Sequence, residues 1–172
     1  MKDTLEVMES RSSCRKYTDK PVPRDVIEKI VRAGTYAATG MGKQSPVILV
    51  VDNKELRDRL SKMNAAVMNA DMDPFYGAPQ VIVVLADKNV ATYVYDGSLV
   101  MGNMMNAAED LGVSSCWIHR AREEFDSEEG RALLKKWGIE GDYIGVGHCI
   151  LGYPDGEYRE PKPRKDNYVY RV

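Results

Sequence analysis

Near the start of the chain, three cations and two hydroxyls fall within nine residues. In residues 9–17, ESRSSCRKY, Arg11, Arg15 and Lys16 stand with Ser12 and Ser13, and only Glu9 opposes them. That donor set suits a phosphate. A guanidinium fork meets two phosphate oxygens in parallel, and a charge-assisted hydrogen bond contributes about 1.5–3 kcal/mol, roughly twice a neutral one. Taken alone, the same residues also describe a solvated basic turn. A second basic group, Lys162, Arg164 and Lys165, lies near the other end and carries the same two readings.

Other chemistries find little support. The two histidines, His119 and His148, have no partner at metal-ligand spacing. No GxSxG elbow, GxxxxGK[ST] loop or GxGxxG turn occurs, and Met41-Gly42-Lys43 has the wrong spacing for a phosphate loop. With no metal site and no evident nucleophile, any reaction would fall to a bound organic cofactor. The three cysteines, Cys14, Cys116 and Cys149, are odd in number and form no CxxC pair, which predicts reduced thiols. Charge is balanced, 24 basic against 26 acidic residues with a pI near 5.8, so no nucleic-acid partner and no membrane surface is expected. No apolar run has transmembrane length, and MKDTLEVMES lacks the hydrophobic region of a signal peptide. A cytoplasmic location is the resulting expectation.

The elements that must position these residues alternate between helix and strand. A short helix is predicted over 5–10, then an extended Lys20-Pro21-Val22-Pro23 linker. Pro23 opens a helix with Val26, Ile27, Ile30 and Val31 at helical spacing, and Gly34 is a plausible stop. A flexible segment, 36–46, precedes a buried strand at 47–51 and a helix over 54–70 with Leu56, Leu60, Met63 and Val67 on one face. VIVVLA, 81–86, reads as a second, fully buried strand. The segment 87–95, between the second strand and the next helix, is brief. The helix predicted over 96–111 is apolar on most of its sides, so it belongs in a large core or against a second subunit. A third strand at 113–118 and a helix over 127–136 follow, the latter capped by Ser127 with Lys135 and Lys136 in its last turn. A fourth strand at 143–151, a polar Pro- and Gly-rich excursion over 153–163 and a strand-like YVYRV end complete the chain. The alternation points to a two- or three-layer α/β or α+β domain, one domain spanning 1–172.

Four segments, in order along nearly the whole chain, resemble motifs of the nitroreductase family of flavoproteins. ESRSSCRKY resembles its RRSxRxF-type motif, and AATGMGKQSP its Ala/Pro-Ser-x-x-Asn-x-Gln-Pro loop. LGVSSCWIH resembles its Gly-x-x-Ser-Cys-Trp-Ile-Gly strand, and ILGYPDGEYREPKPRK its Gly-Tyr-Pro and Pro-Arg-Lys tail. Each motif alone is moderately specific; four in order are much less expected by chance.

The resemblance implies an α+β nitroreductase-like fold, a central mixed β-sheet flanked by helices, homodimeric with intertwined termini, and FMN bound at the dimer interface. It places Arg11 on the FMN phosphate, Arg15 near the phosphate or the flavin N1/O2 edge, Ser13 at the ribityl or pyrimidine end, and Ser12 against the same cofactor. Arg164 and Lys165, with Lys162 as a third, would complete the phosphate site. Gln44 matches the loop glutamine, while Gly42 stands where the family carries asparagine. Cys116, Ile118 and His119 fall where the family lays a strand against the flavin, with an amide around Ile118 or His119 facing N5. His119 replaces a common glycine; a solvent-facing loop histidine is its other reading. The activity implied is hydride transfer from NADH or NADPH through flavin N5 to a small-molecule electron acceptor, a nitroaromatic, quinone or similar compound, in a ping-pong cycle that needs no catalytic acid or base from the chain. A specialised dehalogenase, enone reductase or flavin-fragmenting branch, or a non-catalytic flavin-binding module, is the alternative.

Overall fold

Alternate residues of one strand face two different cores, and the architecture follows from that. In the computed structural model, which describes residues 3–157 and 160–172, β2 (Gln80–Asp87) is buried from Val81 to Ala86. Val81, Val83 and Leu85 pack with Leu60, Phe125 and Leu133 on one side. Ile82, Val84 and Ala86 pack with Ile30, Met101 and Met104 on the other. A strand covered on both faces has no polar side, which is why VIVVLA shows an unbroken apolar run.

The sheet has the order β1-β2-β4-β3, with β1 at Pro46–Val51, β3 at Ser114–Ile118 and β4 at Tyr143–Gly152. All three pairings are antiparallel, for example Val47 with Leu85, Val83 with His148, and Ile118 with His148. A parallel element enters only as a bridge from Ser13 to Ser115 outside β3. Between β2 and β4 the register shifts after Val84, so Val146 is the extra residue of a bulge. Its flanking residues need the absence of a side chain: a Cβ on Gly145 would lie 2.1 Å from Ala121 O, and one on Gly147 would lie 2.3 Å from Trp117 Nε1.

One face is covered by α3 (Lys54–Val67), α5 (Ala121–Asp126) and α6 (Glu128–Lys136), the other by α2 (Arg24–Thr35) and α4 (Tyr93–Asp110). A short α1 (Thr4–Ser10) lies on α4, where Ser10 Oγ donates to Glu109. Ser127 caps α6 as expected, its Oγ accepting from Gly130 N at 3.0 Å, and Asn53 caps α3, its Oδ1 accepting from Leu56 N at 2.8 Å. Between β2 and α4 the connection is only residues 88–92, held as a turn on Asp87.

Four expectations change. Gly34 does not stop α2, which continues to Thr35; a Cβ there would meet Met104 Cγ at 2.8 Å, so the glycine instead permits close packing on α4. β1 is half-buried, because it is the sheet's edge rather than an interior strand. α5 was not foreseen. Among the described residues the YVYRV end forms no strand: a short 3₁₀ turn covers Asp166–Tyr168, and Tyr168 and Tyr170 are exposed. Of the polar excursion over 153–163, residues 158 and 159 lie outside the described residues.

Helix α4 keeps more apolar surface than its own chain covers. Val100, Met101, Met104 and Ala108 are buried, whereas Val94, Tyr95 and Leu99 are exposed, Leu99 by 50%. Among the described residues, no helix is long and apolar enough to cross a membrane.

Candidate functional site

After α1 the chain runs extended along the outer edge of β3. The Ser13–Ser115 bridge, a 3.0 Å bond from Cys14 N to Ser115 O, and an antiparallel bridge from Tyr17 to Pro154 fix that path. Tyr17 is buried, and its hydroxyl donates back to Cys14 O at 2.9 Å, closing the turn. The segment is therefore a strand-edge strap, and its side chains are held in register with β3.

Arg11, Ser13 and Arg15 gather around Cys116. Burial pushes the Cys116 thiol up, and the charges of Arg15 and Arg11 and the Ser13 hydroxyl oppose that rise without reversing it. Cys116 is thus a protonated thiol at neutral pH, unsuited to nucleophilic attack. Its neighbour across the sheet, Cys149, is pushed up to about 12 by complete burial. Among the described residues neither Arg11 nor Arg15 makes an ion pair. Lys16, by contrast, pairs with Asp155 at 2.8 Å, both side chains being largely exposed. Ser12 is half-buried beside the two arginines. Ser115 Oγ, buried next to Ser13, has no partner among the described residues.

At the far end of β3, Ile118 is buried and His119 is exposed, in keeping with a solvent-facing histidine. The carbonyl of His119 points inward and accepts from Asn64 Nδ2 at 2.8 Å. Arg120 follows with φ 76°, a left-handed conformation rare for a residue with a side chain.

The remaining candidates lie elsewhere. Gln44, also left-handed at φ 50°, is exposed just before β1. β1 and β3 are the two edges of the sheet, three strand spacings or about 14 Å apart. Its loop is anchored by Asp96, a buried acid in the first turn of α4 that accepts from Gly40 N, Ser45 Oγ and Thr92 Oγ1. Arg164 and Lys165 sit on the exposed tail, where Lys165 Nζ lies 5.5 Å from the Tyr168 ring centre. No hydrogen bond or ion pair among the described residues joins them to the Arg11 cluster. One chain therefore unites Arg11, Ser12, Ser13, Arg15 and Cys116, sets Ile118 and His119 farther along the same strand, and leaves Gln44, Arg164 and Lys165 apart.

Two buried polar groups escaped the sequence reading. Asp96 carried a faint signal, a lone acid in the first turn of an apolar helix. The second is a network of Asn64, Arg120, Glu124 and His148, drawn from α3, the turn after β3, α5 and β4. No local pattern could have joined residues so far apart in the chain.

Comparison with known proteins bears on the same regions. The sequence model described as "Nitroreductase family" matches residues 8–72 and 67–153. A protein of Archaeoglobus fulgidus named "Putative NADH dehydrogenase/NAD(P)H nitroreductase" is 32% identical over 162 residues, covering 91% of this chain and 88% of the relative. Among solved structures, a nitroreductase with bound FMN from Bacteroides fragilis superposes with a TM-score of 0.88 at 27% identity, covering both chains completely. An iodotyrosine deiodinase bound to FMN and 3-iodo-L-tyrosine shares the fold, with a TM-score of 0.77 at 16% identity over 99% of this chain and all of the other.

Proposed function

Since the chain belongs to the nitroreductase family, we propose that this oxidoreductase is an FMN-dependent NAD(P)H enzyme that reduces nitroaromatics, quinones or similar electron-poor acceptors. It would work as a homodimer of single domains spanning residues 1–172. One observation supports the reading: two guanidinium groups, Arg11 and Arg15, stand with the Ser13 hydroxyl around Cys116 on a strand edge, and among the described residues neither makes an ion pair. That is a donor set for a phosphate dianion, and FMN fits it.

When bound, FMN supplies the two-electron chemistry, taking hydride from NADH or NADPH in one half-reaction and passing it to the acceptor in the next. The chain's own contribution is placement and charge. Arg11 holds the phosphate through its fork, and Ser12 and Ser13 add hydroxyls. Arg15, which makes no ion pair among the described residues, is freer than Lys16 to set positive charge beside the ring's N1/O2 edge, because Lys16 is engaged by Asp155. Ile118 and His119 present backbone along the ring. No side chain needs to give or take a proton.

A second copy of the chain accounts for what one copy leaves uncovered. Val94, Tyr95 and Leu99 in the first half of α4, and Leu5 and Met8 of α1, are apolar side chains that one copy leaves exposed and a symmetric mate would cover. β1 is a free edge beside an apolar groove of about 380 Å³ lined by Leu49, Val51, Trp137 and Ile139, among others. The alternating tail beyond Tyr168 suits that edge in the mate, which would intertwine the termini. Gln44, Arg164 and Lys165 would then reach the mate's flavin rather than their own. Three free thiols are consistent with a reducing cytoplasm.

The visible absorption spectrum of the purified protein, followed by anaerobic addition of NADH or NADPH, tests the reading. A flavin band that bleaches with either donor supports it and selects the donor. A colourless protein that fails to take up added FMN overturns it.

A further inference from the structure

The reaction leaves two neighbouring thiols unused. The bridge from Ser13 to Ser115 is parallel, and Cys14 N donates to Ser115 O at 3.0 Å. One step along that register, Cys14 of the strap stands beside Cys116 of β3. Neighbouring strands run about 4.8 Å apart, and a disulfide needs Cα atoms about 4.4–6.8 Å apart. The backbone is therefore already at bridging distance. Packing agrees with the register: Cys116 belongs to the core of Leu60 and Phe125, and Cys14 packs against that same core from the strap. Tyr17 touches on both. Its phenol is pushed up by burial first, then by the thiols of Cys14, Cys116 and Cys149.

The two neighbours differ in access. Cys14 is half-buried and opens into a cleft of about 90 Å³ shared with Arg15, Lys16, Asp155 and Glu157. Its Sγ donates to Lys16 O at 3.2 Å. Lys16 is engaged by Asp155, whereas Arg15 makes no ion pair among the described residues. Cys116 is only 2% exposed, with the Ser13 hydroxyl against its sulfur. Cys149, the third cysteine, is fully buried in the core on the other face of the sheet.

We infer that Cys14 and Cys116 are a hydroperoxide-responsive thiol pair, in which Cys14 reacts first and Cys116 closes a disulfide between the strap and β3. In the first step the Cys14 sulfur attacks one peroxide oxygen and the O–O bond breaks. Cys14 becomes a sulfenic acid, and the other oxygen leaves with the thiol proton, as water when the oxidant is hydrogen peroxide. Arg15 offers positive charge to that departing oxygen. In the second step the Cys116 sulfur attacks the Cys14 sulfur, the S–O bond breaks, and the hydroxyl departs as water with the Cys116 proton. Two thiols give up two electrons, and the peroxide takes them. A buried, protonated thiol suits the second step, where it meets an already activated sulfur, better than the first. The new bond ties the segment carrying Arg11, Ser13 and Arg15 covalently to the strand it lies along. This chemistry requires no flavin.

Thiol titration of the purified full-length protein after exposure to hydrogen peroxide, with mass spectrometry of its unreduced peptides, tests the pair. Free thiols should fall from three to one, Cys149 remaining. The chain should lose two hydrogens, yield a peptide joined through Cys14 and Cys116, stay a single chain without reductant, and regain all its thiols with dithiothreitol. Cys116→Ala should halt at a Cys14 sulfenic acid captured by dimedone, and Cys14→Ser should keep both remaining thiols over the same exposure. The wild-type peptide map decides the pairing even where a variant fails to fold. Three intact thiols under conditions that oxidise glutathione would overturn the inference. So would a Cys14 disulfide between two chains, or Cys14 oxidised past the sulfenic acid with Cys116 still free.

Discussion

Asp96 accepts the backbone N–H of Gly40 at 3.0 Å across 56 residues of sequence. Ser45 Oγ at 2.9 Å and Thr92 Oγ1 at 3.1 Å complete its shell, so one carboxylate ties the Gln44 loop to the start of α4. Burial by itself would raise the Asp96 carboxyl; the bonds from Gly40, Ser45 and Thr92 outweigh it and hold the group below the usual aspartate range. Replacing it with asparagine sets an amide N–H₂ against one or more of these donors. Asp96→Asn is expected to lose about 2 kcal/mol at pH 7 by urea denaturation, the scale of bonds to a charged acceptor.

The acid dependence follows from the sign of that shift. A carboxyl whose folded value is depressed stabilises the fold fully above its unfolded value, about 3.9, and loses that contribution as pH falls through the lower folded value. Asp73 behaves the same way: burial raises it, but the bonds from Arg57, Ser61, Gly77 and Phe75 lower it further. Unfolding free energies measured between pH 6 and about 2.5 should therefore decline below about pH 4, with a shallower decline in Asp96→Asn. Parallel profiles for the two proteins would remove Asp96 from this role.

Gly145→Ala should be among the costliest single-methyl additions in the chain. Its Cβ would sit 2.1 Å from Ala121 O and 2.3 Å from Ala121 C, backbone atoms that cannot swing aside as a flexible side chain would. A loss of about 3 kcal/mol or more is expected in chemical denaturation, with α5 lifted from β4.

Two neighbouring cations should separate cleanly in FMN binding. Arg11→Ala removes a fork that makes no ion pair among the described residues and should raise the FMN dissociation constant about a hundredfold, since two charge-assisted bonds contribute roughly 3 kcal/mol. Lys16→Ala removes an exposed pair with Asp155, and its effect should stay within about threefold. Equal effects in equilibrium titration would contradict the assignment of Arg11.

Removing residues 164–172, or Leu99→Asp on the exposed face of α4, should shift the monomer–dimer midpoint in analytical ultracentrifugation upward by at least about tenfold, or 1.4 kcal/mol. Both variants should keep the wild-type circular dichroism. An unchanged midpoint in both would argue against the proposed mate surface.

Much of this molecule is written locally. Ser127, Lys135 and Lys136 announce α6, the Leu56/Leu60/Met63 row announces α3, and ESRSSCRKY marks the segment that brings Arg11 and Arg15 together. What the sequence conceals is order and distance. PVILVV and VIVVLA are equally apolar, yet one is an edge and the other central, because strand order is decided by pairing rather than composition. Six residues of α5 hold less than two turns, too few for a periodic signal. Gly34 resembles a helix stop because close packing and chain termination select the same residue. The grip of Asn64 on His119 joins positions 55 apart, beyond any window of pattern.

The two-faced packing of β2 also bears on how the molecule comes apart. Helices α3, α5 and α6 share that strand with α2 and α4, so neither layer can leave without stripping apolar cover from the other. A half-melted state retaining one layer would expose alternate residues of β2 along its whole length. Loss of either layer is therefore tied to loss of both, which favours a single cooperative transition in which spectroscopic probes placed on opposite layers, Trp137 on one and Trp117 on the other, report the same midpoint.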